Sequence, residues 1–276
     1  MIYLDNSAST QIREEVLNVI SHELKYSFAN PSSPYKPARK SRISIDKSRE
    51  IFAEILNCSE NEIIFTSSIS VYGPDESQKD ESTILTPNSG YGYSKMIAEN
   101  IHRSWQLREE NRALTVIRPA VVFGPGEGGN FTRLAAMLKK GFFVYPGRKD
   151  TIKACIYIED LIFAMESARS TDNSYELLNG AYTSRYTLEE IVEAFKVDYF
   201  PGAKLFMVPK AFVLTAAKLF KMMNFLNIGI HPDRVMKLIK STNIYPLWLE
   251  QNNVELPGDL KTALIRWSDA TDGKFD

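Results

Sequence analysis

No glycine occurs between Met1 and Phe65 of this 276-residue chain. Glycine lets a backbone turn sharply and approach a phosphate closely, so a Gly-rich phosphate-binding turn is excluded from that quarter of the chain. Cysteine is also scarce. Cys58 and Cys155 stand far apart with no CxxC and no metal-ligand spacing, which removes a disulfide framework and a structural zinc site. An excess of one charge is missing as well: 33 Lys and Arg balance 34 Asp and Glu, so no net field draws the chain to nucleic acid or an acidic lipid surface. No apolar run is long enough to span a membrane, because Lys210, Lys218 and Lys221 interrupt the Phe-, Leu- and Met-rich stretch Leu205 to Ile230. That stretch is expected to form an amphipathic helix over the core. Without a basic, apolar leader the chain is expected to be cytoplasmic. What remains is globular material, 44% hydrophobic and 24% charged, enough for a normal core.

Apolar spacing predicts a short strand at 2–4 and a helix over 13–26 with Val16, Ile20 and Leu24 on one face. The prolines of 30–37 predict a loop, and a helix follows to about Leu56. Ile63 to Thr66 is a buried-strand pattern that runs into a Ser-rich edge ending at Tyr72-Gly73-Pro74. A polar loop over 74–89, a helix over 90–110 and a strand over 114–117 continue the alternation of a parallel sheet. Beyond Gly124 to Gly129, read as a loop rather than a phosphate cradle, the pattern turns mixed. Helices are expected over 130–140, 159–169, 187–195 and 209–223, with strands at 142–145 and 154–158. No internal repeat or low-complexity tract interrupts this order.

The chemistry concentrates in Tyr91-Gly92-Tyr93-Ser94-Lys95. A Tyr and a Lys four apart in a helix share one face. An ammonium beside a phenol favours the phenolate, the form that can exchange a proton with a sugar hydroxyl. Upstream, Ser67-Ser68-Ile69-Ser70-Val71-Tyr72-Gly73 places hydroxyls at a strand end, where one could hydrogen-bond the same substrate oxygen. Downstream stand Arg118-Pro119-Ala120-Val121-Val122-Phe123-Gly124-Pro125-Gly126 and Ile156-Tyr157-Ile158-Glu159-Asp160-Leu161.

In this order, from about Phe65 to the C-terminus, these motifs resemble those of the NAD-dependent epimerase/dehydratase group of extended short-chain dehydrogenases. The resemblance implies an α/β fold: an incomplete Rossmann-like parallel sheet with a smaller mixed α/β C-terminal substrate lobe. It implies a nucleotide-sugar epimerase, with Ser68, Tyr91 and Lys95 as the catalytic trio and Lys95 also holding the nicotinamide ribose of NAD. Pro119, Ala120 and Val121 would border the nicotinamide. Asn130 would open the helix facing the substrate diphosphate, an ordinary N-cap being the plainer reading, and Lys153 would stand where relatives often place a basic residue. A 4,6-dehydratase is disfavoured, since Ile69-Ser70 stands where such enzymes have Asp-Glu. A lipid-linked sugar is an alternative substrate, and a homodimer is compatible with this reading.

The first quarter resembles another family. Ile2-Tyr3-Leu4-Asp5-Asn6-Ser7-Ala8-Ser9-Thr10, Asn30-Pro31-Ser32-Ser33 and Asn61 to Ser67 are similar to the start of a cysteine desulfurase of the class V aminotransferase type. That family's pyridoxal lysine, phosphate-binding stretch, histidine and cysteine loop are absent, so no pyridoxal phosphate is expected. The two resemblances meet at Ile64-Phe65-Thr66-Ser67, and the chain reads as a chimera. Three parts are expected: 1–66 desulfurase-like, 67–129 a partial Rossmann domain with the Ser and Tyr-xxx-Lys site, and 130–276 mainly substrate-binding. With the Gly-rich segment replaced, NAD binding is expected to be weak and stability reduced. A non-catalytic nucleotide-sugar binder or an inactive fragment is the alternative, and a pyridoxal-phosphate enzyme fragment stands behind both.

Overall fold

A computed structural model describes residues 13–26, 29–30, 33–56, 59, 61–209 and 240–276. The chain divides into two compact units, residues 1–62 and 63–276. The expected strand at 2–4 and helix over 209–223 lie outside the described residues, apart from Pro209.

Among its described residues the first unit holds two helices, α1 (Glu14–Tyr26) and α2 (Lys36–Leu56). Helix α1 carries Glu14 and Glu15 in its first turn and Lys25 in its last, complementing the helix dipole. Helix α2 begins inside the stretch expected to be loop. Pro37 sits in its first turn, where amides have no intrahelical acceptor, so a missing N–H costs nothing there.

The second unit is α/β. Its elements run β1 (Glu62–Thr66), a 3-10 turn at Ile69–Tyr72, α3 (Gly90–Gln106), β2 (Ala113–Pro119), β3 (Val121–Phe123), α4 (Asn130–Lys139), β4 (Phe142–Gly147), β5 (Cys155–Tyr157), α5 (Ile158–Arg169), β6 (Tyr175–Gly180), α6 (Leu188–Asp198), β7 (Lys204–Pro209), α7 (Leu247–Gln251) and α8 (Leu260–Ala270). Among the described residues the strands form one sheet in the order β1-β2-β6 and two pairs, β3-β5 and β4-β7. The β2-β6, β3-β5 and β4-β7 pairs are parallel, with Leu114 opposite Tyr175 and Pro119 opposite Gly180. Parallel neighbours need crossovers, and the interleaved helices provide them.

Residues 205–209, expected to begin a helix, are strand instead. Phe142 to Gly147 pairs along Lys204 to Pro209, and a short apolar run fits either conformation until a partner strand is present. The helix expected to reach residue 110 ends at Gln106, and Leu107 caps it by donating to Arg103 O.

Aromatic rings pack at the centre of the core. Phe123 stacks on Phe131 at 4.3 Å between centroids, and Trp267 packs against Phe123, Phe195 and Phe275. Such pairs each contribute about 0.5–1.5 kcal/mol beyond area burial. A smaller cluster of Val71, Tyr72, Ala154, Ala181 and Ile244, flanked by Met96 and Ala120, joins the 3-10 turn to α3 and to the β2-β3 junction. No helix among the described residues is long and apolar enough to cross a membrane.

Candidate active site

The site forms where β1, α3 and β2 meet. β1 ends at Thr66, and the Ser67 amide donates to Ile117 O of β2 at 2.7 Å. Ser68, extended at φ −166°, then caps the 3-10 turn by accepting from the Ser70 amide at 3.2 Å. Gly73 ends the turn at φ +83°, and a Cβ there would lie 2.2 Å from Thr86 O.

Helix α3 starts at Gly90, capped by Ser89, whose Oγ accepts from the Gly92 amide. Gly92 is needed for a close approach: a Cβ on it would sit 2.5 Å from Ser70 O. The first turn of α3 therefore lies directly on the Ser68 turn, and Tyr91 stands there 56% exposed. One helical turn on, Lys95 Nζ donates to Thr66 O at 2.8 Å and lies 5.7 Å from the centre of the Tyr91 ring. Ser68, Tyr91 and Lys95 are thus gathered at the end of β1. Among the described residues no hydrogen bond joins Tyr91 to Ser68 or Lys95, and the lysine holds the strand-end carbonyl instead.

Pro119, Ala120 and Val121 are half-buried where the chain leaves the first sheet for the second. The Ala120 amide donates to Gly180 O at 2.9 Å and the Val121 amide to Ala154 O at 3.2 Å. Asn130 is exposed at the first position of α4, and the N-cap is Gly129. The plainer reading of Asn130 as the cap is therefore corrected. Glu127 does that work, its carboxylate accepting from the Thr132 amide at 3.0 Å and the Thr132 hydroxyl at 2.8 Å. Lys153 precedes β5, and its Nζ donates to Lys240 O at 2.6 Å. Burial lowers its pKa to about 8, the charge of Glu76 working the other way and that of Arg148 adding to the shift.

Sequence reasoning missed a buried polar chain beneath the trio. Arg118 donates from Nε and one terminal nitrogen to Glu99 at 3.0 and 2.6 Å, and from the other to the Tyr72 oxygen at 2.9 Å. Tyr72 donates to Asn179 Oδ1 at 2.8 Å, and Ser67 Oγ donates to Glu99 Oε1. Burial pushes the Tyr72 phenol up to about 12, against the pull of the Arg118 charge. Burial is the strongest influence on Arg118 and opposes its charge, but Glu99 and Tyr72 together outweigh it and hold its pKa above the usual guanidinium range. The available signal was spacing: Glu99 follows Lys95 by four on the same helix face, and Arg118 precedes Pro119. The Ile156 to Leu161 motif serves packing: Asp160, fully buried, accepts from Tyr182 Oη at 2.6 Å and from Arg266 at 2.6 and 2.8 Å.

Comparison with known proteins adds the family. The model of the NAD dependent epimerase/dehydratase family matches residues 5–199. The N-acetyl-alpha-D-glucosaminyl-diphospho-ditrans,octacis-undecaprenol 4-epimerase of Escherichia coli O157:H7 is 31% identical over 139 residues, 50% of this chain and 42% of that protein. Cysteine desulfurase IscS of Methanosarcina thermophila is 41% identical over 66 residues, 24% of this chain and 16% of that protein. This chain therefore spans less than half the length of either relative. The structure described as MoeE5 in complex with UDP-glucose and NAD superposes with a TM-score of 0.57 at 17% identity, covering 83% of this chain and 71% of that one, a likeness of fold. A short segment similar to cysteine desulfurases is thus carried by a chain with a Rossmann-like α/β fold, and the chain belongs to the NAD dependent epimerase/dehydratase family.

Proposed function

We propose that residues 63–276 carry the proton-transfer machinery of an epimerase acting on a diphosphate-linked sugar. The observation that carries this reading is the placement of Lys95 between the Thr66 carbonyl and the Tyr91 ring, directly beside the Ser68 turn. In this reading 67–129 holds the reacting groups, 130–276 binds mainly substrate, and 1–66 stands in for the segment that relatives devote to the cofactor.

Tyr91 takes the proton from the sugar hydroxyl and later returns it, and its exposure leaves the phenol open to a ligand. Ser68 hydrogen-bonds the same oxygen from its fixed place at the cap of the turn. Lys95 stands one helical turn from Tyr91 and is anchored by Thr66 O against drifting away. The nicotinamide end of NAD would be held by these residues, Lys95 and Tyr91 at its ribose and half-buried Pro119, Ala120 and Val121 bordering its ring. Bound NAD would accept and return the hydride of the oxidised carbon. The pyrophosphate end has no glycine turn in the first 72 residues, so affinity rests on the nicotinamide half alone.

Lys153 and Asn130 would face the diphosphate. Glu127 already fills the amino end of α4, so a diphosphate there must displace or share that carboxylate. A diphosphate joined to a polyprenol, as in the name of the Escherichia coli relative, and one joined to a nucleoside present the same charge to Lys153. No pyridoxal phosphate is assigned, and a homodimer is the proposed assembly.

The test is epimerisation of a UDP-sugar with added NAD, followed by chromatography. Tyr91→Phe is expected to lower kcat by about 10²–10⁴ with an unchanged melting temperature. Equal rates in wild type and variant overturn the assignment. A second reading, a non-catalytic nucleotide-sugar binder, is favoured by the missing glycine turn and shows as a UDP-sugar thermal shift without turnover.

A further inference from the structure

We infer that Arg118 is the positioning residue of this site, setting the turn that bears Ser68 against the helix that bears Tyr91 and Lys95. The inference rests on the assignment of those three as the reacting groups.

Arg118 lies next to last in β2, 4% exposed, and its three bonding nitrogens point to two separate elements. Two of them fork onto Glu99, which is on the α3 face of Tyr91 and Lys95, four residues beyond the lysine. The third reaches Tyr72, the last residue of the turn that Ser68 caps. Glu99 Oε1 also accepts from Ser67, the neighbour of Ser68. The Tyr72 end of the Ser68 turn and the functional face of α3 are therefore tied to one planar guanidinium, and Ser67, just before the turn, is tied to the same Glu99 carboxylate. A lysine at this position would present one point charge and lose the fork. Tyr72 extends the tie to Asn179, whose Nδ2 donates to Tyr245 O and whose amide donates to Glu81, the acceptor for the first amides of α7. Arg118, Glu99, Ser67 and Tyr72 are all buried, so none of them offers a surface to a substrate. They act through the residues they hold.

A buried ion pair often adds little net stability, and a well-packed apolar pair of similar volume can replace it. This separates positioning from mere folding. The double variant Glu99→Leu/Arg118→Met is expected to melt near the wild type. Its Val71 and Gly92 amides, bonded to Ser68 O and Ser89 Oγ, are expected to exchange at least about tenfold faster, while the Thr271 amide of the α8 cap is unchanged. In the epimerisation assay kcat is expected to fall at least about tenfold with KM within about twofold, as misplacement of reacting groups predicts. Wild-type exchange together with wild-type kcat in the double variant overturns the inference. If the wild type itself shows no turnover, the functional assignment fails and exchange alone decides: unchanged protection at Val71 and Gly92 overturns the positioning role, faster exchange supports it. Should the double variant not fold, Tyr72→Phe removes one oxygen from the same chain. Faster exchange at Val71 then supports the inference and unchanged exchange overturns it.

Discussion

Helices α1 and α4 are both amphipathic and of similar length, 13 and 10 residues, yet they end in opposite states. Helix α4 buries Phe131, Leu134, Ala135 and Leu138. Helix α1 buries none of its residues: Val16, Leu17, Val19, Ile20 and Leu24 are all exposed. Period 3.6 patterning makes a face available for packing, but a complementary surface has to supply the burial, and the apolar residues of α1 stay exposed. Helix α4 lies in the second unit, whose buried cluster supplies that surface.

The largest expected effect that sharpens this contrast is Trp267→Ala. Trp267 is fully buried among Phe123, Phe195 and Phe275, and its loss is expected to cost about 3–5 kcal/mol in urea unfolding. Retained stability would mean that the second unit is not held by its aromatic core. Next comes the cofactor. A calorimetric titration with NAD is expected to show no saturation below roughly millimolar concentration, a binding energy weaker than about 4 kcal/mol. Micromolar affinity would mean that the first unit does replace the glycine turn.

A smaller effect is the pH dependence of diphosphate binding. Lys153 gives up its proton near pH 8 when folded, so UDP affinity is expected to fall as pH rises through about 8, and Lys153→Met to remove that dependence. The same shift acts on stability. An unfolded lysine keeps its proton up to its ordinary value of 10.5, so between about 8 and 10.5 the unfolded state holds more protons and stability rises with pH. The penalty for burying the charge is present in full below 8 and gone above 10.5. The smallest expected effect lies on α1: Ile20→Ser is expected to change stability by less than about 0.5 kcal/mol. A cost near that of Trp267→Ala would erase the distinction between the two units.

Much of the fold was legible. The runs that became β1, β2 and β5, and the helices α3, α4, α5 and α6, declared themselves by period and by flanking Gly, Pro and Ser. Strand β7 did not, because a short apolar run takes its conformation from the strand it pairs with. Pro37 was misjudged for the opposite reason, since a local rule against proline does not apply in a first helical turn. At the site, Tyr91 and Lys95 were visible as two chemical groups one helical turn apart. Arg118 and Glu99 were visible only as letters in motifs, because a salt bridge between residues 19 apart in sequence depends on how a helix lies over a strand.

Sequence alone determined the chemical groups: the Tyr91 and Lys95 spacing, the hydroxyls of the Ser-rich turn, and the absence of glycine before Gly73. These follow from covalent order and helix period, which need no distant contact. Tertiary structure alone decided that Gly92 lets α3 settle on Ser70, that Lys95 anchors on Thr66, and that Arg118 ties turn to helix. The reason is physical: a buried charge must find its partners within hydrogen-bond reach, and only the packed fold determines which residues those are.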